Sequence, residues 1–292
     1  MSYSRAELED PSFWRSLVPK GVISDNPFHS TGRAYPVQAS VLERSGVQLQ
    51  SEGYFQTPPL LPTEDCEVLK SIVQTIVSAG LRPTYALLFD QFYEVLVRLD
   101  PLLHHLLGSG YQMVPDEFEV FFIDHRIQGA GTPPHRDAFS GGSTIMDDGK
   151  FKLINVWITL TDATPINSCM YIVPANLDNG FPERQRLLNA KPATSRQLDF
   201  QNIRALPATA GSVIGWNPNL LHWGSRSSSN ADQSRISFAV YFQRGDVEKM
   251  HPTASSLLGD MPFEYRLYLV EKVWRDRSGD ELAGFLGKLT VD

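Results

Sequence analysis

The sequence predicts a mainly β protein, a barrel or sandwich flanked by helices. Five runs rich in β-branched and aromatic residues, separated by Gly, Pro, Asn and Ser clusters, fill roughly the middle half of the chain. Segments with helical periodicity precede and follow these runs. The chain has 292 residues, of which 42% are hydrophobic, so it is long enough to bury a sizeable core.

The first fifty residues are rich in Pro, Ser and Gly and show no sustained period, which predicts an arm or a set of short elements draped over the body. A helix is expected to begin at Thr63 as N-cap and to end at Gly80, because apolar residues recur at helical spacing after an acidic first turn. A second helix is predicted over 85–99. The apolar run LLHHLL after Pro101 predicts a further short helix.

The β character begins after Gly110. One amphipathic segment follows the last run, with apolar side chains on a single helical face, and we expect it to cover one side of the β core. Its apolar residues are Phe263, Leu267, Val270 and Trp274. The predicted strands are EFEVFFID (117–124), FKLINVWITL (151–160), CMYIVP (169–174), GSVIGW (211–216) and RISFAVYFQ (235–243).

Composition excludes several classes of function. The chain carries 26 Lys and Arg against 33 Asp and Glu, so its net charge of −7 has the wrong sign for binding nucleic acid or an anionic membrane. Cys66 and Cys169 lie far apart in no metal-binding or disulfide spacing, and we expect both to be small buried residues. No apolar run resembles a signal peptide or a membrane span, which predicts a cytoplasmic location.

One histidine stands in a spacing that suits a metal. Among the seven histidines, only His135 is followed two residues later by a carboxylate, Asp137, and chance alone predicts nearly one such pair. Residues i and i+2 of a strand project from the same face, so the two side chains can converge on one ion. Two histidines and one carboxylate on one side of an iron leave the opposite positions open, as in non-haem Fe(II) oxygenases.

A second histidine arrives in a suggestive context. His222 follows the apolar run GSVIGW and lies 13 residues before Arg235, which with Ser237 would share one face of the last strand. An arginine buried in a barrel needs an anion, and a guanidinium suits a carboxylate. Fe(II), Asp137, Arg235 and a dicarboxylate such as 2-oxoglutarate carry charges that cancel. The alternative is that these residues are unrelated polar groups at the surface.

Four segments together resemble a known family. They are TPPHRD (132–137), NVWITLTDATPINSCMYIVPAN (155–176), GSVIGWNPNLLHWGS (211–225) and RIS (235–237). They resemble the phytanoyl-CoA dioxygenase-like (PhyH) family of Fe(II)/2-oxoglutarate-dependent oxygenases, with similarity over roughly residues 50 to 245. The resemblance implies a double-stranded β-helix, a jelly-roll, cupin-like barrel with helices packed against it.

The resemblance also implies roles. His135, Asp137 and His222 would ligate iron, and Arg235 and Ser237 would hold the far carboxylate of 2-oxoglutarate. Oxygen would be the second cosubstrate. The expected reaction is hydroxylation of an unactivated C–H bond with succinate and CO2 as coproducts, and desaturation, cyclisation and demethylation are variants.

Because the ligands lie far apart in the chain and must meet at one ion, we expect a single oxygenase domain over 1–292. It would comprise an arm (1–50), a core with helices (51–245) and a C-terminal helical extension (246–292).

The chain departs from the family pattern in one segment. Ser168 stands where the family commonly has Gly, and Ala175 and Asn176 replace a Gly-Ser pair. These positions are expected to shape a turn and the rim of the pocket, and so to affect the substrate more than the metal. Asp137 itself favours oxygenation, since related halogenases have a small residue in its place.

Further expectations concern the walls of the site. The strand 151–160 has one apolar face and one mixed face, and Asn155 and Thr159 on the mixed face are candidate contacts for cosubstrate or substrate; a solvent-facing position is the alternative. The Gly-rich residues 138–150 would form a lid, or a loop without a role.

The acidic charge favours a small metabolite or natural-product intermediate as substrate, and nothing indicates an oligomeric state. Two other functions stay open: a cupin-like metalloenzyme that does not use 2-oxoglutarate, and a non-catalytic metabolite-binding protein.

Overall fold

The computed structural model describes residues 3–29, 32–137, 143–181, 199–257 and 259–272. In these ranges, helices formed mostly before residue 108 pack against two antiparallel sheets through one large apolar cluster. The α-helices are α1 (Arg5–Leu8), α2 (Pro11–Leu17), α3 (Ala39–Glu52), α4 (Thr63–Ser78), α5 (Gln91–Arg98) and α6 (Asp100–Leu107). The strands are β1 (Tyr54–Pro59), β2 (Gln112–Ile123), β3 (Leu153–Thr159), β4 (Met170–Val173), β5 (Arg204–Leu206), β6 (Ser212–Trp216), β7 (Leu221–Gly224) and β8 (Arg235–Gln243).

The N-terminal region contains more helix than the sequence pattern predicts. Helix α3 runs for 14 residues and ends at Gly53, whose φ of 78° is left-handed and suits a residue without a side chain. Its buried positions are Val41, Ser45 and Leu49. These positions follow helical spacing, but the serine among them obscures the apolar pattern in the sequence. Because this stretch is a regular helix, the expectation of a draped arm is wrong here.

Helix α4 confirms the strongest predicted helix, with a correction at its start. Pro62 occupies the N-cap position and Thr63 is the first helical residue, without a capping hydrogen bond. The helix predicted over 85–99 is divided into a 3-10 turn (Pro83–Leu88) and α5. The division falls at Asp90, whose carboxylate accepts a hydrogen bond from the backbone N–H of Ser24, so this residue is tied to the N-terminal segment. The short helix after Leu99 is confirmed as α6.

All five predicted strands are present, and β1, β5 and β7 are additional to them. The larger sheet has the order β1-β6-β3-β8-β2, and the smaller has the order β5-β4-β7. β5 and β7 have three and four residues, too few for a periodic pattern, and β1 is an edge strand that ends in two prolines. The mainly β class with flanking helices is thus confirmed. Closure of the sheets into a double-stranded β-helix barrel stays a prediction.

Strand register determines which side chains face the site. Tyr241 of β8 lies opposite Asn155 of β3, and Ser237 lies opposite Thr159. The mixed face of β3 and the face of β8 that carries Arg235 are therefore the same face of the sheet. The opposite face packs on the helices, where the ring of Phe238 lies 5.3 Å from a ring of α5. The mixed face consequently turns toward the smaller sheet.

Residues 263–272 are helical, and Phe263, Leu267 and Val270 are buried in the main core as predicted. Trp274 lies outside the described residues. Cys66 and Cys169 are free and buried, as expected. None of the helices within the described ranges is long and apolar enough to cross a membrane.

Candidate metal centre

The segment that carries His135 and Asp137 runs beside β7 without forming a regular strand. His135 and His222 exchange two backbone hydrogen bonds of 3.0 Å in an isolated bridge, and the backbone N–H of Asp137 donates to the carbonyl of Pro218 at 2.9 Å. The expectation of an H-x-D strand is therefore wrong. Pro133 and Pro134 precede the histidine, and prolines lack the N–H that a strand ladder needs.

The three predicted ligands nevertheless converge. Asp137 Oδ1 lies 3.3 Å from His135 Nε2 and 3.5 Å from His222 Nε2, and the three candidate ligand atoms lie within 4.8 Å of one another. His222 is 3% exposed, and the other two are partly buried. This is the only such group of three found in the described ranges.

The donor set calls for a cation. His135 Nδ1 lies 2.7 Å from the carbonyl of Pro133, and His222 Nδ1 lies 3.0 Å from the carbonyl of Leu220. If each Nδ1 carries the proton and donates it to its carbonyl, each Nε2 presents a lone pair. Two imidazole lone pairs and a carboxylate oxygen then face one another at contact distance. Such an arrangement is repulsive without a positive ion between the atoms, and the residues therefore fit a divalent metal.

The protonation states also suit metal binding. Burial alone would raise the pKa of Asp137, but His222 and His135, when protonated, and the Tyr241 hydroxyl outweigh it and hold that pKa well below its ordinary value. Burial lowers the pKa of His222, against the opposing effect of Asp137. An ionised carboxylate and a neutral imidazole are the forms that bind a metal ion.

Arg235 lies fully inside the protein and lacks an acidic partner among the described residues. It is 3% exposed, its Nε donates to the carbonyl of Ser168 at 3.0 Å, and its Nη1 donates to Ser237 Oγ. None of the ion pairs among the described residues includes Arg235, and Glu119, the acidic residue that acts on its charge, lies beyond ion-pair distance. Burial lowers the pKa of Arg235 to about 10. A buried guanidinium without a counter-ion fits a site for an anionic ligand.

The mixed face of β3 adds one residue that sequence reasoning did not select. Trp157 is 1% exposed, its ring lies 5.6 Å from the guanidinium carbon of Arg235, and its Nε1 has no hydrogen-bond partner within the described chain. Asn155 is also buried, and its Oδ1 has no hydrogen-bond partner there. Thr159 faces the same way, but its hydroxyl donates to the carbonyl of Thr161. The alternating pattern of β3 was the signal that could have singled out Trp157.

Ser168 contributes more than the shape of a turn. It adopts a left-handed φ of 77°, the conformation for which glycine is the usual residue, and its hydroxyl donates to the carbonyl of Ser225. Its own carbonyl accepts the hydrogen bond from Arg235 Nε. Ser168, which was expected at the rim of the pocket, therefore also helps to position Arg235.

Half of the candidate lid can be described. Residues 138–142 lie outside the described ranges. Thr144, in the following stretch, is buried and donates to Asn217 Oδ1 at 3.2 Å. A lid role for residues 138–150 stays a prediction.

The two sheets and this donor set define a class of protein, the metalloenzymes with a two-histidine, one-carboxylate site. A family model described as Phytanoyl-CoA dioxygenase (PhyH) matches residues 74–237, which is more than half of the chain. The chain therefore belongs to the PhyH family. Enzymes of this family use Fe(II), 2-oxoglutarate and O2, and His135, Asp137 and His222 are the matching ligand set here.

Three solved structures have a similar fold and are distant in sequence. The ThoJ–nickel complex, a non-heme monooxygenase, has a TM-score of 0.56 and 15% identity, covering 80% of this chain and 98% of ThoJ. HygX from Streptomyces hygroscopicus, with nickel and 2-oxoglutarate bound, has a TM-score of 0.53 and 14% identity, covering 72% and 88%. The epimerase SnoN, in complex with Fe3+, alpha ketoglutarate and nogalamycin RO, has a TM-score of 0.52 and 16% identity, covering 77% and 96%. Comparison with curated proteins finds no match.

Proposed function

We propose that this protein is an Fe(II)/2-oxoglutarate-dependent oxygenase that oxidises an unactivated C–H bond of a small molecule, with hydroxylation as the default outcome. The observation that carries the proposal is the pairing of two sites: three convergent metal ligands and a buried arginine without an acidic partner in the described chain. Iron needs the first site, and the dicarboxylate cosubstrate needs the second. The whole chain is proposed to act as one domain.

His135, Asp137 and His222 would hold Fe(II). Arg235 and Ser237 bind the far carboxylate of 2-oxoglutarate. When bound, the iron supplies the chemistry by which one oxygen atom of O2 enters the substrate and the other enters succinate as CO2 is released. The protein's own contribution is to order the ligands and to keep water away from the reacting atoms.

Trp157 completes the proposed cosubstrate site. Its indole N–H is a buried donor beside the guanidinium, and a carboxylate placed at Arg235 would accept a hydrogen bond from it. Thr159 and Asn155 are weaker candidates for contacts to the cosubstrate, because the Thr159 hydroxyl and the Asn155 side chain already form hydrogen bonds within the chain.

The buried arginine also separates this proposal from its alternatives. A cupin-like metalloenzyme without 2-oxoglutarate would need the triad alone, and it would have no use for an unpaired guanidinium in its interior. A binding protein that has lost turnover would tolerate loss of a ligand, whereas all three ligands are in place here.

A small metabolite or natural-product intermediate is the proposed substrate class. SnoN, which has a similar fold, forms a complex with nogalamycin RO, and this supports the proposed class of substrate. The net charge of −7 disfavours large polyanionic substrates. Nucleic acid and membranes are not proposed as partners, and the proposed location is the cytoplasm.

The test is succinate formation under air, with Fe(II), 2-oxoglutarate and candidate substrates. The wild type is expected to form succinate, and with isotopically labelled O2 the hydroxylated product is expected to gain one labelled oxygen atom. His135→Ala should abolish turnover. His104→Ala is the matched control, since His104 lies exposed on α6 and should leave turnover unchanged. Full turnover by His135→Ala, or no succinate from the wild type with any candidate substrate, would overturn the proposal.

A further inference from the structure

Two aromatic side chains of the larger sheet hold the carboxylate of Asp137. Trp216 Nε1 donates to Asp137 Oδ2 at 3.2 Å, and the hydroxyl of Tyr241 also hydrogen-bonds the carboxylate. Trp216 lies on β6 and Tyr241 on β8, whereas Asp137 belongs to the segment that pairs with the smaller sheet. The carboxylate is therefore held from across the site.

Asn155 joins these two residues into one row. In the strand register, Asn155 lies opposite Trp216 on one side and opposite Tyr241 on the other. The Asn155 side chain hydrogen-bonds the Tyr241 hydroxyl. All three residues are at most 6% exposed. The row thus forms a buried relay in which Asn155 orients Tyr241, and Tyr241 in turn contacts Asp137.

The two oxygens of the Asp137 carboxylate have different contacts. Oδ1 faces both histidine Nε2 atoms, and Oδ2 accepts the indole N–H. An oxygen engaged by a neutral donor is less available to a metal ion, so the carboxylate is set to bind through Oδ1 alone. A carboxylate that bound through both oxygens would occupy one more coordination position.

We propose that Trp216, Tyr241 and Asn155 are positioning residues that hold Asp137 in one-oxygen coordination, which keeps an iron position open for 2-oxoglutarate. The inference rests on the proposed function and adds residues that the ligand motif does not contain. Asn155 thereby receives a role through Tyr241 in place of a direct cosubstrate contact.

A purely structural role predicts different behaviour. If the three residues served packing alone, replacing Tyr241 or Trp216 by Phe would change the stability of the protein and leave its metal affinity unchanged. Removing a partner that orients a metal ligand typically lowers metal affinity by about 10- to 100-fold. Metal affinity and the spectrum of the bound metal therefore separate the two roles.

The experiment titrates Co(II) into the full-length protein without O2 and records its visible absorption, which depends on coordination number. Tyr241→Phe and Trp216→Phe are each expected to weaken Co(II) binding by about 10-fold or more and to change the spectrum. Addition of 2-oxoglutarate should change the wild-type spectrum at a lower concentration than is needed for either variant.

Matched controls exist elsewhere in the core. The Tyr93 hydroxyl donates to the carbonyl of Leu87, and Trp14 Nε1 donates to the carbonyl of Leu8. Both residues are buried and lie on helices, α5 and α2, outside the two sheets. Tyr93→Phe and Trp14→Phe are expected to bind Co(II) like the wild type. Asn155→Ala should weaken binding, and the double variant with Tyr241→Phe should bind no more weakly than Tyr241→Phe alone, because Asn155 acts through Tyr241.

The outcomes distinguish failure of the proposed function from failure of the positioning role alone. Failure of the wild type to bind Co(II) would overturn the proposed function, and the inference with it. Binding by the wild type with unchanged affinity and spectrum in Tyr241→Phe and Trp216→Phe would overturn the inference alone. The two substitutions lie on different strands, so if one variant fails to fold, the other can still be measured. Circular dichroism shows which variant is folded.

Discussion

Arg235→Met removes a buried cation whose expected counter-ion is the cosubstrate. One pKa unit corresponds to about 1.4 kcal/mol, so the lowering of the Arg235 pKa to about 10 means that burial costs the charged guanidinium about 3 kcal/mol at neutral pH. The cost is present below pH 10 and is relieved as the pH rises above it, because the folded pKa lies below the unfolded one.

Two favourable contacts offset part of that cost. The hydrogen bonds to the Ser168 carbonyl and to Ser237 contribute about 1 kcal/mol each. Replacing Arg235 by Met is therefore expected to raise the free energy of unfolding of the ligand-free protein by about 1 kcal/mol. The same change leaves the far carboxylate of 2-oxoglutarate without its ion partner, which should weaken binding by about 3 kcal/mol, or about 100-fold.

The assays are denaturant unfolding with and without 2-oxoglutarate, and calorimetric titration of 2-oxoglutarate. Arg266→Met is the matched control: Arg266 is also fully buried, but its Nη1 pairs with Asp90 Oδ1 at 2.7 Å. Its loss should lower the free energy of unfolding by about 3–5 kcal/mol and leave 2-oxoglutarate affinity unchanged. Comparable destabilisation by Arg235→Met, or wild-type affinity for 2-oxoglutarate in that variant, would refute the reasoning.

Three further predictions concern the backbone and the ion pair around the ligands. Ser168→Gly relieves a left-handed residue but loses two hydroxyl hydrogen bonds, one donated to the Ser225 carbonyl and a long one of 3.5 Å accepted from Arg235 Nη2. The free energy of unfolding should stay within about 1 kcal/mol of wild type, and 2-oxoglutarate affinity should be unchanged because Arg235 keeps its bond to the carbonyl of residue 168; a tenfold loss of affinity in calorimetry would contradict this. Gly131→Ala places a Cβ 2.7 Å from the backbone of β7, so it should lower the free energy of unfolding by about 1–3 kcal/mol and weaken Co(II) binding. Gly80→Ala is the control: its Cβ would have no atom within 4 Å, and Co(II) binding should be unchanged. Arg136 lies between His135 and Asp137 in the sequence, and its Nη2 donates to Asp178 Oδ1 at 2.9 Å. Asp178→Ala removes this partner and should lower the free energy of unfolding by about 3–5 kcal/mol. An unaltered denaturation midpoint would show that the pair contributes nothing.

The ligands were predictable because their signals are local. The spacing of His135 and Asp137, and the position of His222 after an apolar strand, are visible in the sequence, and the structure brings these side chains together. Arg235 was selected because it lies 13 residues after His222, at the start of the last strand, and because the family resemblance places an arginine there. The three side chains converge although His135 and Asp137 lie in no strand, because the bridge between His135 and His222 places the segment beside β7.

The residues behind the ligands were not predictable in this way. Trp216 and Tyr241 reach Asp137 only through the register of β6, β3 and β8, and register depends on cross-strand pairing between distant segments. Ser168 showed a departure from the family glycine, but its contact with Arg235 depends on the approach of β4 to β8. Helix α3 was missed for a related reason, because Ser45 occupies a buried position that periodicity assigns to an apolar residue.

Anaerobic titration with Fe(II) and 2-oxoglutarate tests whether the protein binds both at one site, because chelation of Fe(II) by the 2-oxo acid gives a visible charge-transfer band. The wild type is expected to give this band at one equivalent per chain. His135→Ala should give no band, and Arg235→Met should need about 100-fold more 2-oxoglutarate to reach it. A wild-type protein that binds Fe(II) and shows no band with 2-oxoglutarate would contradict the account.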